Sequence, residues 1–419
     1  MRRLSGRECG MTEAETRSRS QAVTALTAYR VVSRAYFHLP ILFVFFFKGG
    51  LSIVTIELLI AVYGVVVALA PAVTASWTRN RPLPVVLGLG EAIKILGLAA
   101  LALGPNVGSA LVGQVLSGTG FAFTAGTDSA LLSTLCSGAA FRRREAVTQG
   151  WMFAASFVAG AIGAALFSGS SLLPFAASAM AAGCAIAALV PLRRATSVGA
   201  PTAASSGAPT AASANPAQDC DTAARVSRET RSWQLYYAMN RAFLLAPYVG
   251  FIPLLLFEEL RLGVAWFGLV LGVYTLSGFA AARSCPALLT RFAPGRLALL
   301  PAVLTTAGLA LLAISTSVTL ALVAIVALGL GGGLIRPTAM SNMEPFMRPL
   351  SPPARRQLTT RMERIQAVLS ALILVGGGLL LLSLSVNQLF AALAMANLAL
   401  QIIVLAATWR RSAGTTIST

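Results

Sequence analysis

Twelve stretches of this chain, at residues 28–48, 52–76, 83–104, 107–132, 147–168, 172–192, 234–257, 264–289, 297–316, 319–337, 363–384 and 387–408, are each long and apolar enough to cross the ~30 Å hydrocarbon core of a bilayer. In lipid every backbone amide and carbonyl must find a partner within the protein. Continuous apolar runs without strict alternation meet that demand as helices rather than as barrel strands. The expected fold is an all-α membrane protein with twelve transmembrane helices. Composition agrees, since only 11% of the 419 residues are charged and 56% are hydrophobic, whereas about a quarter of a soluble domain is charged.

The net charge of +18 raises the question of nucleic acid, and the placement of the charges answers it. Of 32 Lys and Arg, Lys48 and Arg261 fall on one side and Arg34, Lys94 and Arg241 fall deep within spans, which leaves 32 − 2 − 3 = 27 in tails, loops and helix ends on the opposite side. Cytoplasmic loops collect Lys and Arg, so both termini are expected in the cytoplasm of a multi-pass plasma-membrane (bacterial inner-membrane) protein. A nucleic-acid partner would want these arginines interleaved with aromatics on one soluble face, and the sequence has no such domain. Trp77, Trp151, Trp233, Trp266 and Trp409 all fall at expected helix ends, where indoles favour the water–lipid boundary. The five cysteines, Cys9, Cys136, Cys184, Cys220 and Cys285, have no metal-binding spacing and none falls in an expected external loop, so they read as reduced thiols. No apolar core follows the N-terminal arginines before the first span, so no cleaved signal peptide is expected. Residues up to about 24 read as a disordered tail, within which Met11 is an alternative start.

Between the sixth and seventh segments the hexapeptide APTAAS occurs at 200–205 and again at 208–213, within an Ala, Ser, Pro and Thr tract. Such a tract buries too little apolar surface to fold. The expected division is therefore a cytoplasmic tail at 1–27, six helices over 28–194, a flexible cytoplasmic linker at 195–232, six helices over 233–409 and a tail at 410–419. The halves echo each other. RAYFHLP at 34–40 meets RAFLLAP at 241–247, AVYG at 61–64 meets GVYT at 272–275, and RREAVTQ at 143–149 meets RRQLTTR at 355–361, at offsets of 207, 211 and 212. Three matches at nearly constant spacing indicate a duplicated six-helix unit. Parallel repeats about an axis normal to the membrane are one established way of building a transporter.

The whole chain, apart from tail and linker, resembles the major facilitator superfamily. SGTGFAFTAGTDSALLSTL at 117–135 is similar to the GxAFxSGTDEALLYDSL pattern of bacterial permeases in that superfamily, and the Gly-rich FVAGAIGAALFSG at 157–169 fits as well. The resemblance implies two pseudo-symmetric six-helix bundles that rock around a cavity at mid-membrane, the major facilitator fold. Departures are also clear. The superfamily's loop between spans 2 and 3 usually reads like GxLaDRxGRR, and here PAVTASWTRNRP at 71–82 retains only Arg81 of its key positions, with Trp77 in place of the Asp; Thr134 replaces the acid expected near the end of span 4. Both losses weaken the charge latch that the resemblance implies at the cytoplasmic side.

Ionisable groups inside the membrane are costly and so mark cavities or partners. Residues 30, 34 and 38 are spaced to share one face of span 1, with Pro40 kinking the helix one turn on. Arg30 is expected to snorkel to headgroups. Arg34, Tyr36, His38, Asn240 and Arg241 are the candidate substrate-binding residues, since Arg34 and Arg241 lie at matching depths of the two halves. For proton coupling the candidates are Asp128, which has no cation within one turn in sequence, Glu91 and His38. Glu91 and Lys94, at i and i+3, are also placed for an intrahelical ion pair. Glu57, in the outer part of span 2, is expected to face external water. Arg81, Arg283, Arg336, Glu344 and Glu363 are the candidate cytoplasmic gate.

No nucleophile with a base, metal cluster or nucleotide motif stands out, so neither an enzyme nor a cofactor is expected. The reading is a secondary active transporter, expected as a monomer, that couples protons to export of a small amphipathic organic compound such as a drug or natural product. Its cavity is expected to be apolar and sparsely charged. The alternatives are proton-coupled uptake of a small metabolite and a non-transporting membrane sensor or assembly partner that keeps the fold.

Overall fold

A computed structural model of the protein describes the backbone of residues 13–79, 81–198 and 216–415. The elements in order are α1 (Glu13–Val32), a 3-10 turn (Leu39–Ile41), α2 (Leu42–Lys48), α3 (Ile53–Arg79), α4 (Leu83–Ala102), α5 (Val107–Thr124), α6 (Thr127–Leu135), α7 (Gly138–Gly169) and α8 (Leu173–Val198). The second half holds α9 (Pro216–Ala246), which runs on through π turns at Pro247–Phe251 and Leu255–Glu259 around α10 (Ile252–Leu254). Then come α11 (Val264–Arg291), α12 (Pro294–Leu297), α13 (Leu299–Ala313), α14 (Val318–Met347), α15 (Pro352–Leu380) and α16 (Val386–Thr415). Among the described residues, nine helices are long and apolar enough to cross a membrane. Large apolar side chains such as Leu69, Leu96, Val303, Leu372, Ile402 and Ile403 point outward, as a lipid-facing surface requires.

Several expectations are corrected. Residues 13–24 are helical, not a disordered tail, and α9 begins at Pro216, so the last part of the expected linker 195–232 is helix; residues 199–215 lie outside the described residues. Two expected spans are interrupted. The first breaks after Val32 and resumes at Leu39, so Arg30, Arg34 and His38 do not share one helical face. Pro40 has no amide to bond back to Tyr36, and its ring disfavours helix there. The freed backbone is satisfied from neighbouring helices, because Ser156 Oγ on α7 donates to the Arg34 carbonyl at 3.3 Å and the His38 amide donates to Ser178 Oγ on α8 at 3.2 Å. The break lies against Gly163 of α7, where a Cβ would overlap the Phe37 carbonyl. The fourth expected span divides at Ala125–Gly126, with Gly126 at φ +75°, and α15 docks into that gap by hydrogen bonds from Thr359 Oγ1 to Gly126 O (2.9 Å) and from Thr360 Oγ1 to Ala125 O (3.3 Å).

Two seams join the halves: α7 packs on α11, and α3 packs on α15. If span n repeats as span n+6, these contacts, between spans 5 and 8 and between spans 2 and 11, exchange under one two-fold axis. The α3–α15 seam runs the full length of the helices, from Arg356 Nη1 on the Thr78 carbonyl (3.0 Å), through Arg364 Nε on the Ala68 carbonyl (2.7 Å), to Glu57 beside Gly378. The α7–α11 seam likewise runs from Gly150 against Arg283 to Gly268 against Ala164.

Candidate functional site

Between the seams lies a cavity of about 260 Å³ lined from both halves. The break after α1 supplies Arg34, Tyr36 and His38, α3 supplies Tyr63, α4 supplies Lys94, α9 supplies Tyr237 and Arg241, and α11 supplies Tyr274. Echoed positions meet here: Arg34 and Arg241 share this space, as do Tyr63 and Tyr274. The guanidinium of Arg34 stacks over the Phe121 ring at 4.8 Å and donates to Tyr36 OH at 3.4 Å. Neither Arg34 nor Arg241 is within salt-bridge distance of an acid among the described residues. Lys94 is paired with Glu91 at 2.6 Å, as the spacing indicated, and Glu91 also accepts from Tyr29 OH at 2.9 Å. His38 Nδ1 lies 2.9 Å from Ser178 Oγ, and its ring stacks on Phe175. The wall is therefore mostly apolar and aromatic, with Arg34, Lys94, Arg241, Arg336 and Glu363 as its charged groups.

One substrate candidate does not belong. Asn240 is fully buried and faces α16, where it exchanges hydrogen bonds with Gln401 (2.6 and 3.4 Å), away from the cavity. The residue is polar on a helix that carries cavity groups, but it is one position from Arg241 and hence rotated by about 100°.

Toward the arginine-rich end, a buried ion network closes the cavity. Arg30 Nε bonds Asp128 at 2.9 Å, and Arg30 holds Glu145 by two bonds of 2.7 and 3.0 Å. Arg336 of α14 bonds Glu145 at 2.9 Å, Glu363 at 2.6 Å and Ser129 Oγ at 2.8 Å, with Asp128 at 3.8 Å. Tyr237 OH donates to Glu363 at 2.9 Å. Arg30, Asp128 and Glu145 belong to the first half and Arg336 and Glu363 to the second, so Arg336–Glu145, with the longer Arg336–Asp128 contact beside it, ties the halves. Arg30 is thus a core residue and not a snorkelling one. Asp128, expected to lack a fixed partner, has Arg30, because the break before α6 brings its first turn beside α1.

Glu344 of α14 forms a second tie. It accepts from the Gly138 amide at the start of α7 at 2.8 Å and pairs with Arg142 at 3.3 Å and Arg348 at 3.2 Å. A carboxylate at a helix N-terminus completes orphan donors and opposes the helix dipole. Arg355 and Arg356 of α15 add bonds to the carbonyls of Ser133 (2.7 Å) and Thr78 (3.0 Å). Of the expected gate residues, Arg336, Glu344 and Glu363 are brought together here. Arg81 is exposed and stacks on Trp77 at 5.2 Å, and Arg283 is exposed with its stem against Gly150; neither joins the network. Glu145 was the gate residue missed from sequence. Its signal was a lone acid in RRREAV, opposite Gln357 in the echo of the second half. Beside this gate, burial and the nearby Glu145 carboxylate push the Cys136 thiol up to about 11.

The fold is shared with solved membrane transporters. The structure is similar to that of a POT family transporter solved with a thioalcohol-conjugated peptide (TM-score 0.69, 12% identity, covering 92% of this chain and 95% of that one). It is also similar to a bacterial homologue of the iron transporter ferroportin in the outward-facing state (TM-score 0.61, 20% identity, 94% and 99%) and to the human organic anion transporter MFSD10 (TM-score 0.62, 12% identity, 91% and 99%). No family model matches the sequence, and no curated protein matches it.

Proposed function

We propose that the protein is a secondary active transporter of a small amphipathic organic anion. Twelve spans in two six-helix bundles alternate access to the cavity, and both termini lie in the cytoplasm. The observation that carries this reading is the pair Arg34 and Arg241, one from each half, bordering the shared cavity with no acid within salt-bridge distance of either among the described residues; Glu363, which also lines the cavity, is held by Arg336. Two half-buried guanidinium groups without an ion-pair partner are costly unless a ligand supplies negative charge. A carboxylate or phosphate is the natural complement, and the tyrosine walls offer stacking faces and hydroxyls to the rest of the solute. At about 260 Å³ the space lies at the small end of ligand pockets.

The arginine-rich end is the cytoplasmic one by charge bias, so the Arg336–Glu145 network is the inner gate. We read that gate as taking over from the degenerate loop at 71–82, which favours transport over a non-transporting role. Proton-coupled export remains the direction proposed. Of the three expected proton carriers, Asp128 and Glu91 are ion-paired, and His38 alone borders the cavity without a charged partner.

The test is counterflow in proteoliposomes with a panel of small aromatic carboxylates and phosphates, followed by an imposed pH gradient in each direction. Saturable anion exchange that Arg34→Gln and Arg241→Gln each abolish is expected. Exchange of neutral or cationic solutes alone would overturn the assignment of substrate class.

A further inference from the structure

Glu57 is a buried acid that the transport reading does not use. It lies in the second turn of α3, at the end of the molecule opposite the arginine-rich gate, and its exposure is 0%. Neither carboxyl oxygen has a hydrogen-bond partner. Among the described residues every other buried acid has a cation within salt-bridge distance: Glu91 has Lys94, Asp128 and Glu145 have Arg30, Glu344 has Arg142, and Glu363 has Arg336. The site is also built. Glu57 fills a slot whose walls are Gly250, on the π turn after α9, and Gly378, on α15, both from the other half; a Cβ at Gly250 would overlap both carboxyl oxygens.

The ionisable groups around the slot do not reach it. Within α15, no ionisable residue lies between Arg364 and the end at Leu380. On the π turns, Tyr248 stacks on Tyr274 with ring centroids 4.5 Å apart, and Glu258 and Glu259 are exposed. Lys48 at the end of α2 is exposed, with its amine over the Phe167 ring, and Arg261 is exposed. On α3 itself, the next ionisable residue, Tyr63, lies at the cavity.

An ionised carboxylate in such a slot would be buried without a counter-charge or a donor, an arrangement that proteins avoid by neutralising the group. The slot exists only while the halves touch at this end. Separating them moves Gly250 and Gly378 away and lets water reach the carboxyl. We infer that Glu57 is a proton-binding site of the outer gate: the α3–α15 seam closes over the neutral acid and opens as the carboxylate. Closing takes up one proton from the outer solution, and opening returns it. Because the closed form binds the extra proton, acid favours closure. The closed-to-open ratio falls by up to about tenfold for each pH unit of rise over the window between the titration of a hydrated glutamate and the higher pH at which the closed seam itself ionises.

This proposal needs no substrate, so its failure and that of the transport reading are distinguishable. Spin labels at Ser52→Cys and Ser383→Cys, exposed on the two sides of the seam, report the outer distance in liposomes without solute across a pH series. The wild type is expected to lose its short-distance population as pH rises. Glu57→Gln, a neutral isostere, is expected to hold the short distance throughout, and Glu57→Asp to keep a pH response. A pH profile unchanged in Glu57→Gln overturns the inference. Should that variant fold poorly, infrared difference spectra of the wild type carrying 13C-glutamate decide the matter: a neutral-carboxyl band bleached at high pH supports the site, and its absence overturns it.

Discussion

Replacing Glu145 with Gln keeps the shape of the inner gate and removes the charge at its centre. In the closed form Glu145 accepts three charged bonds, two from Arg30 of its own half (2.7 and 3.0 Å) and one from Arg336 across the halves (2.9 Å), besides a bond from Ser129 Oγ of its own half (3.2 Å). Opening the gate breaks only the third. A hydrogen bond between charged groups contributes about 1.5–3 kcal/mol, so Glu145→Gln should move the closed–open balance toward open by that amount, roughly 10- to 150-fold. The reporter is Cys136, which lies in a cleft lined by Ser133 and Phe141 from the first half and Glu344 and Met347 from the second. With Cys9, Cys184, Cys220 and Cys285 replaced by Ser, its alkylation rate measures the fraction of time the gate is open. The effect on folding is separate, because the Arg30 bonds are lost in both forms and appear as a lower melting temperature. Glu145→Gln, Arg336→Gln and the double variant complete a cycle. A coupling energy below about 0.5 kcal/mol, the range expected of independent sites, would refute the assignment of this pair as the tie between the halves.

The remaining expectations are simpler. Arg34→Gln and Arg241→Gln should each weaken binding of the anion found by counterflow by about 10- to 150-fold, measured by titration calorimetry; an unchanged Kd would return either residue to a purely structural role. Cys136 alkylation should keep rising about tenfold per pH unit to about 11, because the thiolate is the nucleophile, and in Glu145→Gln its plateau should shift down toward the ordinary thiol range; a plateau already near pH 9 in the wild type would contradict the burial. His38→Gln should abolish proton-driven movement and spare exchange, and undiminished driven transport would exclude His38 as the coupling group. Gly163→Ala, whose Cβ meets the Phe37 carbonyl, should cost about 1–3 kcal/mol as overpacking, read as a lower melting temperature; no change would mean that the break after α1 has slack. Asn240→Ala should lower stability without touching Kd.

Much of the architecture was legible in the sequence because it follows from local chemistry. Apolar length marks helices, and each of the twelve expected segments contains helix. The offsets of 207 to 212 carried over into the cavity, where Arg34 faces the same space as Arg241 and Tyr63 the same space as Tyr274. The Glu91–Lys94 pair also followed from spacing, since one helical turn sets that distance. What sequence could not supply was partnership across segments. Arg30 looked like a snorkelling residue and Asp128 like a lone carboxylate because their partners are 98 positions apart, and the link between Arg336 and Glu145 spans 191.

The same prolines in the two echoed motifs show where the limit lies. Pro40 and Pro247 occupy matching positions, yet the chain unwinds before Pro40 and stays helical through Pro247 by widening to a π turn. The unwound form is stable in the first half because Ser156 and Ser178 bond its backbone and Gly163 leaves room for it. At the offset of 212, Ser156 and Gly163 correspond to Val368 and Val375 (156 + 212 and 163 + 212), which offer neither hydroxyl nor space. Hydrophobic length, charge bias and repetition are properties of the chain itself, so the sequence alone determined the membrane class and is the source of the proposed duplicated plan. Whether a buried charge is neutralised, whether a freed carbonyl finds a donor and which walls meet depend on neighbours brought from far along the chain. Those outcomes were decided only when the helices packed.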